Sequence, residues 1–389
     1  MNPSNFEAPK KASAYNLSCA GVFCSLVVLG CFQLIAAARN SDGLEYPKDL
    51  KSFREGLSTQ ILEKQLDQKM PMRTELIALA NTLRYQMLNG SGDQVRIGKN
   101  GWLFLTEEIQ YEGDQGKQPV NQPEESLRIR LDLIAAIAQR LNTQGVRLVV
   151  ALVPDKARIY EQQMSGQAYP SYNTTRYSQV LTELANRQVV TVDLLSPLQL
   201  AALEKPVYYK TDTHWNQDGA KVSAMAIASA ISKLGIELEK TQFKTTVAAQ
   251  VQARSGDLIR LMGVEKAPES LRPILDREAS AVTQEVQEVQ VTGAGIGLFA
   301  DSAVPVVLTG TSYSLRGNFH GYLQQAIGSK VLNTAKDGGG FVQALTAYLK
   351  DDSFKSSKPK ILVWEIPERM FKSALTEEMG WLKSIEPAL

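Results

Sequence analysis

Histidine is nearly absent from this chain. Only His214 and His320 occur in 389 residues, so a metal centre built on several imidazoles is excluded. Cysteine is absent after Cys31, and Cys19, Cys24 and Cys31 all lie in one N-terminal apolar segment. The rest of the chain therefore has no disulfide framework, no thiolate-held metal and no thiol nucleophile. Neither sign of charge is in excess: 42 Lys and Arg stand against 41 Asp and Glu, a net charge of +1 spread along the chain. No basic field draws such a protein to nucleic acid. No Lys-Ser/Thr follows Gly338-Gly339-Gly340, so that run is no phosphate loop. The stretch DTHWNQDG (212–219) carries its glycine eighth where a calcium loop needs it sixth.

What is present begins with YNLSCAGVFCSLVVLGCFQLIAAA (15–38), which has no charge over 24 residues, the length of a bilayer-spanning helix. Lys10 and Lys11 precede it and favour a cytoplasmic N-terminus over 1–14. An uncleaved anchor is the expected reading. Ala36-Ala37-Ala38 also resembles a signal cleavage site, and both readings export the bulk of the chain. Residues 39–93 are expected to form a helical linker region, with two helices between Leu50 and Leu88 broken near Pro71. Asn100-Gly101 inside VRIGKNGWLFLTE favours a tight hairpin turn.

From about residue 94 to the end, amphipathic helices alternate with apolar strands. Helices are expected at 124–143, 174–187, 216–234, near 314–327 and at 340–350. Strands are expected at 146–154, 188–194, 304–310, 330–333 and 359–367. Near-continuous apolar strands between helices imply a mostly parallel sheet covered on both faces, a three-layer α/β domain. Residues 236–300 interrupt this rhythm as an insertion, with a half-exposed strand or hairpin over 281–292.

Ligands of open α/β sheets collect at the carboxyl ends of the strands. There VPVVLTGTSYS runs an apolar strand into Gly310-Thr311-Ser312. A serine at such a turn can project its hydroxyl above the sheet, with backbone N–H groups beside it to hold an oxyanion. It can equally be a helix cap. A serine nucleophile needs a base, and histidine suits neutral pH. His320 falls inside the helix after Ser312, where a structural role fits. His214 has Asp212 two residues earlier, which makes Asp212 the orienter, His214 the base and Ser312 the nucleophile of a candidate triad. Asn216 is placed to cap the following helix, with Asp218 in its first turn. Lys156 and Arg369, each just beyond a core strand, and Asn318 are weaker candidates for facing substrate or an oxyanion. No metal or other cofactor is called for.

These residues resemble a known family. RIGKNGWLFLTEE, VPDKARIY, KTDTHWNQDGA, VLTGTSYS, VLNTAKDGGG and PKILVWEIPER occur in the order found in the alginate O-acetyltransferase proteins AlgJ and AlgX, with AlgJ the nearer likeness. The resemblance covers most of the chain from about residue 50. It implies an SGNH hydrolase-like fold with permuted motif order, so that Asp-x-His precedes the serine. It places the triad on Asp212, His214 and Ser312. It also implies a domain in the bacterial periplasm, tied to the inner membrane. There it would take acetyl groups relayed by a membrane-bound acyltransferase of the AlgI type. It would pass them to a polysaccharide acceptor beside other exopolysaccharide biosynthesis subunits. A polysaccharide acetylesterase, or a non-catalytic polysaccharide-binding scaffold, are the alternatives, since fold alone does not separate them.

Overall fold

The structure is a computed structural model. It describes residues 49–69, 73–109, 123–166, 169–286 and 304–372, with Leu375 and a few positions between 21 and 32. The segment 15–38, expected as a membrane anchor, lies outside them apart from those few positions. Among the described residues, no helix is long and apolar enough to cross a membrane. The chain divides into two compact units, Met1–Ala80 and Asn81–Leu389.

In the first unit, helix Leu50–Arg54 is capped by Asp49, whose carboxylate accepts from the Ser52 N–H at 2.8 Å. Helix Leu57–Lys69 follows, and a further helix, Arg73–Leu88, begins just beyond Pro71 and runs into the second unit.

The second unit opens with a hairpin of β1 (Val95–Ile97) and β2 (Leu103–Leu105). Its turn has positive φ at both Asn100 (54°) and Gly101 (79°), the conformation for which Asn-Gly is suited. The central sheet contains β3 (Arg147–Val153), β4 (Val190–Asp193), β7 (Val306–Thr309), β8 (Val331–Asn333) and β9 (Ile361–Pro367) in the order β4-β3-β9-β7-β8, every pairing parallel. The remaining strands, β5 (Phe243–Arg254) and β6 (Asp276–Glu285), form a separate antiparallel hairpin within the expected insertion.

Alternate strand residues feed two apolar layers. Val149, Ala151, Leu308 and Val363 pack with the helices Gln217–Ser232 and Phe319–Ile327. Val150, Leu152, Leu362 and Trp364 pack with Pro123–Thr143, Arg176–Asn186 and Gln343–Lys350. Burial on both faces is why these strands read as continuous apolar runs. This is the three-layer parallel architecture expected.

Two expectations change. The late hairpin strand begins at Asp276, ahead of the 281–292 expected, because Asp276 itself anchors its start to the backbone N–H groups of Lys210 and Thr211, both at 2.8 Å. The helix after Ser312 begins only at Phe319. A 3-10 turn over Ser312–Leu315 and a left-handed Asn318 (φ 53°) intervene.

Candidate active site

The chain leaves β3 towards one sheet edge and β7 towards the other, with β9 between them. The carboxyl ends of these three strands form the crevice where ligands of α/β sheets bind. Ser312 stands immediately after β7. Gly310 makes the turn possible: its φ is 152°, and a Cβ there would lie 2.6 Å from the Glu365 carbonyl oxygen. Glu365 of β9 is fully buried, and its carboxylate accepts from Thr311 N–H (2.7 Å), Thr311 Oγ1 (3.0 Å) and Ser314 Oγ (3.0 Å). Burial pushes this carboxyl up, against the pull of those donors. Thr311 N–H is thus committed to Glu365, and Tyr313 N–H leans on Thr311 Oγ1 at 3.3 Å. Among the described residues the Ser312 N–H has no acceptor, which leaves it as the group an oxyanion would use.

His214 reaches this turn from the loop between Val207 and Asn216. Backbone bonds from Asn216 N–H to the Val207 carbonyl (3.1 Å) and from Tyr209 N–H to the His214 carbonyl (3.2 Å) close that loop. Asn216 then caps the helix Gln217–Ser232 by accepting from the Gly219 N–H at 3.0 Å. Within the loop, His214 Nδ1 lies 2.6 Å from Asp212 Oδ1, and His214 Nε2 lies 2.7 Å from Ser312 Oγ. The His214 N–H adds a second bond to Asp212 Oδ1 at 3.0 Å. A proton on Nδ1 held by Asp212 leaves Nε2 free to accept from Ser312, so the three side chains form one continuous hydrogen-bonded chain. Burial raises the Asp212 carboxyl, but the hydrogen bond and charge of His214, and then Arg254, outweigh it and hold it well below the usual carboxylate range.

The ring of Tyr313 locks the two halves together. Its hydroxyl donates to the Thr213 carbonyl at 2.8 Å, and its ring meets His214 and Trp215 edge-on at 4.8 and 5.0 Å. Trp215, fully buried, continues onto Phe319 at 4.8 Å.

Three sequence candidates stand elsewhere than expected. Lys156 does not face substrate: it is fully buried, and its ammonium donates to the carbonyls of Leu103 (2.6 Å), Lys210 (2.9 Å) and Asp212 (2.9 Å). All three N–H donors are used, so Lys156 braces the loop from beneath. Arg369 is also buried. It lies over the Tyr313 ring at 5.5 Å and 3.9 Å from Glu108, while its own N–H donates to Asp155. Asn318 spends its amide N–H on Thr283 Oγ1 at 2.9 Å, which ties the serine segment to the hairpin and removes it from the oxyanion. His320 Nε2–H donates to the Val331 carbonyl at 2.7 Å, a structural contact.

Sequence reasoning missed Arg254 and Asp257. Arg254 Nη2 donates to Asp212 Oδ2 at 2.9 Å, and the Asp257 N–H donates to the same oxygen at 3.3 Å. Both come from the insertion. The one available signal was the RSGD spelling, whose Gly256 lets the chain approach so closely that a Cβ would sit 2.0 Å from the Thr211 carbonyl oxygen. Asp212, His214 and Asp257 converge within 4.8 Å, spacing that could suit a cation. The Arg254 guanidinium already occupies Asp212 Oδ2 and offsets part of that cluster's charge, so the donor set fits proton handling better than a metal.

Residues 95–368 match the family described as SGNH hydrolase-like domain, acetyltransferase AlgX. The chain belongs to that family. It is 33% identical over 318 residues to the probable alginate O-acetylase AlgJ of Pseudomonas fluorescens, covering 81% of this chain and 77% of the relative. The Azotobacter vinelandii protein of the same name is 32% identical over 379 residues, covering 96% and 94%. The solved O-acetyltransferase domain of Pseudomonas putida AlgJ superposes with a TM-score of 0.63 at 30% identity, over 76% of this chain and 99% of that one. The family's SGNH hydrolase-like α/β fold is the architecture described above.

Proposed function

We propose that this chain is an O-acetyltransferase that carries an acetyl group on Ser312 and passes it to hydroxyls of an exopolysaccharide of the alginate type. The observation that carries the reading is the continuous path Ser312 Oγ–His214 Nε2 (2.7 Å) and His214 Nδ1–Asp212 (2.6 Å) at the sheet's carboxyl edge. The similarity to alginate O-acetylases supports the substrate class.

In the first half-reaction Ser312 Oγ bonds to the acetyl carbon while its proton moves to His214 Nε2. The carbonyl electrons collect on an oxyanion facing the Ser312 N–H. When they return, the bond to the donor's leaving group breaks and His214 protonates that group. In the second half-reaction a sugar hydroxyl gives its proton to His214 and bonds to the acetyl carbon. The bond to Oγ breaks and the proton returns to Ser312. The 15–38 segment supports a domain in the periplasm beside the inner membrane, where a membrane-bound acyltransferase of the AlgI type would relay the acetyl groups. Similarity to AlgX supports company with other exopolysaccharide biosynthesis subunits.

The test mixes a chain lacking residues 1–39 with an activated acetyl ester and oligouronates. Intact mass should show an acetyl adduct on the protein and acetylated oligomers, both lost in Ser312→Ala. Acetate release with no acetylated sugar would overturn transfer, and an adduct that persists in Ser312→Ala would overturn the nucleophile.

A further inference from the structure

Both groups that hold the outer carboxylate oxygen of Asp212 come from the insertion. Oδ1 is occupied by His214, which leaves Oδ2 as the outer oxygen. Arg254, at the end of β5, places Nη2 2.9 Å from that oxygen. Its guanidinium carbon lies over Tyr209, 4.2 Å from the ring centroid, and the side chain is 30% exposed. Asp257, the first residue of the next short helix, adds its N–H to Oδ2. Its carboxylate accepts from Thr213 N–H at 2.8 Å and from Thr213 Oγ1, and stands 3.6 Å from His214 Nδ1. The charged or titratable groups around the Asp212–His214 pair are thus Arg254 and Asp257, Lys156 on the Asp212 carbonyl, Asp276 on Thr211, Glu278 on the Tyr209 hydroxyl, and the phenols of Tyr209 and Tyr313.

We propose that Arg254 is a positioning residue of the transfer reaction: its cation fixes Asp212 and sets how tightly the Asp212–His214 pair holds the proton taken from Ser312. The inference rests on the acetyl-serine reading above. A relay without such a cation leaves the whole carboxylate charge to hold a protonated imidazole. A guanidinium on the far oxygen offsets part of that charge. The proton is then held less firmly, the pair stays ready as a base to lower pH, and the proton is returned more readily to the leaving oxygen. The guanidinium is partly exposed and acts across the carboxylate, so solvent screening leaves an expected effect of roughly half to one pH unit.

The test uses Arg254→Met, which keeps an unbranched stem over Tyr209, and Arg254→Lys, which restores the charge. The pH dependence of kcat/KM for an activated acetyl ester is measured for both, with Ser312→Ala as the blank. The Met variant's acid limb should move to higher pH by roughly half to one unit, a roughly 3- to 10-fold loss below the limb, and the Lys variant should move it back. The downfield proton resonance of the His214–Asp212 hydrogen bond should move further downfield in the Met variant. Superimposed profiles, or a fall in kcat with the limb and the resonance unmoved, would overturn the proposal. If Ser312→Ala still turns over ester, the acetyl-serine reading fails by itself, and the proton resonance then decides on Arg254 alone.

Discussion

Replacing Asp212 by asparagine tests the relay most directly, because the structure dictates which way the new amide must face. Asp212 accepts from two donors on each oxygen: the His214 ring and N–H on Oδ1, Arg254 and the Asp257 N–H on Oδ2. An asparagine has one acceptor oxygen and one donor NH2. If the NH2 faced Arg254, it would oppose a guanidinium that cannot give up its proton and a fixed N–H. If it faces His214, it meets that residue's fixed backbone N–H as well, but the ring can answer by moving its proton from Nδ1 to Nε2, so only one donor stays opposed. The second arrangement is favoured. It leaves Nε2 a donor against Ser312 Oγ, and the serine loses its base. The loss should resemble that of a serine hydrolase given the wrong tautomer, about 10³- to 10⁴-fold in kcat, or about 4–5.5 kcal/mol of transition-state stabilisation. Folding should suffer far less, about 1–2 kcal/mol, because the Arg254 side of the network survives. Burst kinetics with an activated acetyl ester give the first number and chemical denaturation the second. An asparagine variant within about tenfold of the parent kcat, at unchanged stability, would refute the tautomer reasoning.

Three further outcomes follow from the packing. Gly310→Ala should destabilise by about 2–4 kcal/mol and abolish acylation, since the added Cβ meets the Glu365 backbone at 2.6 Å at a φ that L-residues avoid; a thermal melt and a mass-detected adduct check both. Lys156→Met strands three carbonyls and removes a buried ammonium, a net loss of about 2–4 kcal/mol and roughly 4–8 °C in Tm. Burial, opposed by the charge of Glu108, pushes the Lys156 ammonium down to about 8. Between that pH and about 10.4 the unfolded chain binds the extra proton, so the parent's stability advantage over the Met variant should widen as pH rises through that window; denaturation at pH 7 and 9.5 reads it. His320→Ala should cost about 1 kcal/mol through the lost Val331 contact and leave ester turnover within twofold.

The sheet was legible because its chemistry is local. Val149 to Val153 and Ile361 to Ile366 are buried on both faces, so their runs announce parallel strands without help from the rest of the chain. The serine turn was legible for the same reason: an apolar strand that meets Gly-Thr-Ser must turn there. Lys156 and Arg369 were placed correctly at strand ends, yet strand order fixes where a residue stands and leaves open which way its side chain goes. Three backbone carbonyls converge beneath the Lys156 site, from Leu103, Lys210 and Asp212, and that convergence is a product of tertiary structure. Nothing in the VPDKARIY spelling announces it.

The insertion hid its role for a deeper reason. Its strands alternate weakly and stand largely exposed, the pattern of a peripheral hairpin. Yet four of its charged side chains point back at the histidine loop and the helix beyond it. Arg254 holds Asp212, Asp257 holds Thr213, Asp276 holds Lys210 and Thr211, and Glu278 accepts from Gln217 N–H and Tyr209 Oη. Each contact joins residues far apart in the chain, so no local period records it. A loop that must hold an aspartate and a histidine in fixed register cannot draw rigidity from a strand or a helix, because it belongs to neither. The structure gives it that rigidity through buried Lys156 beneath and the hairpin's charges alongside. The hairpin's exposed face can therefore vary while its inward face keeps Asp212 in place, and a substitution there should be read first as a change to the relay.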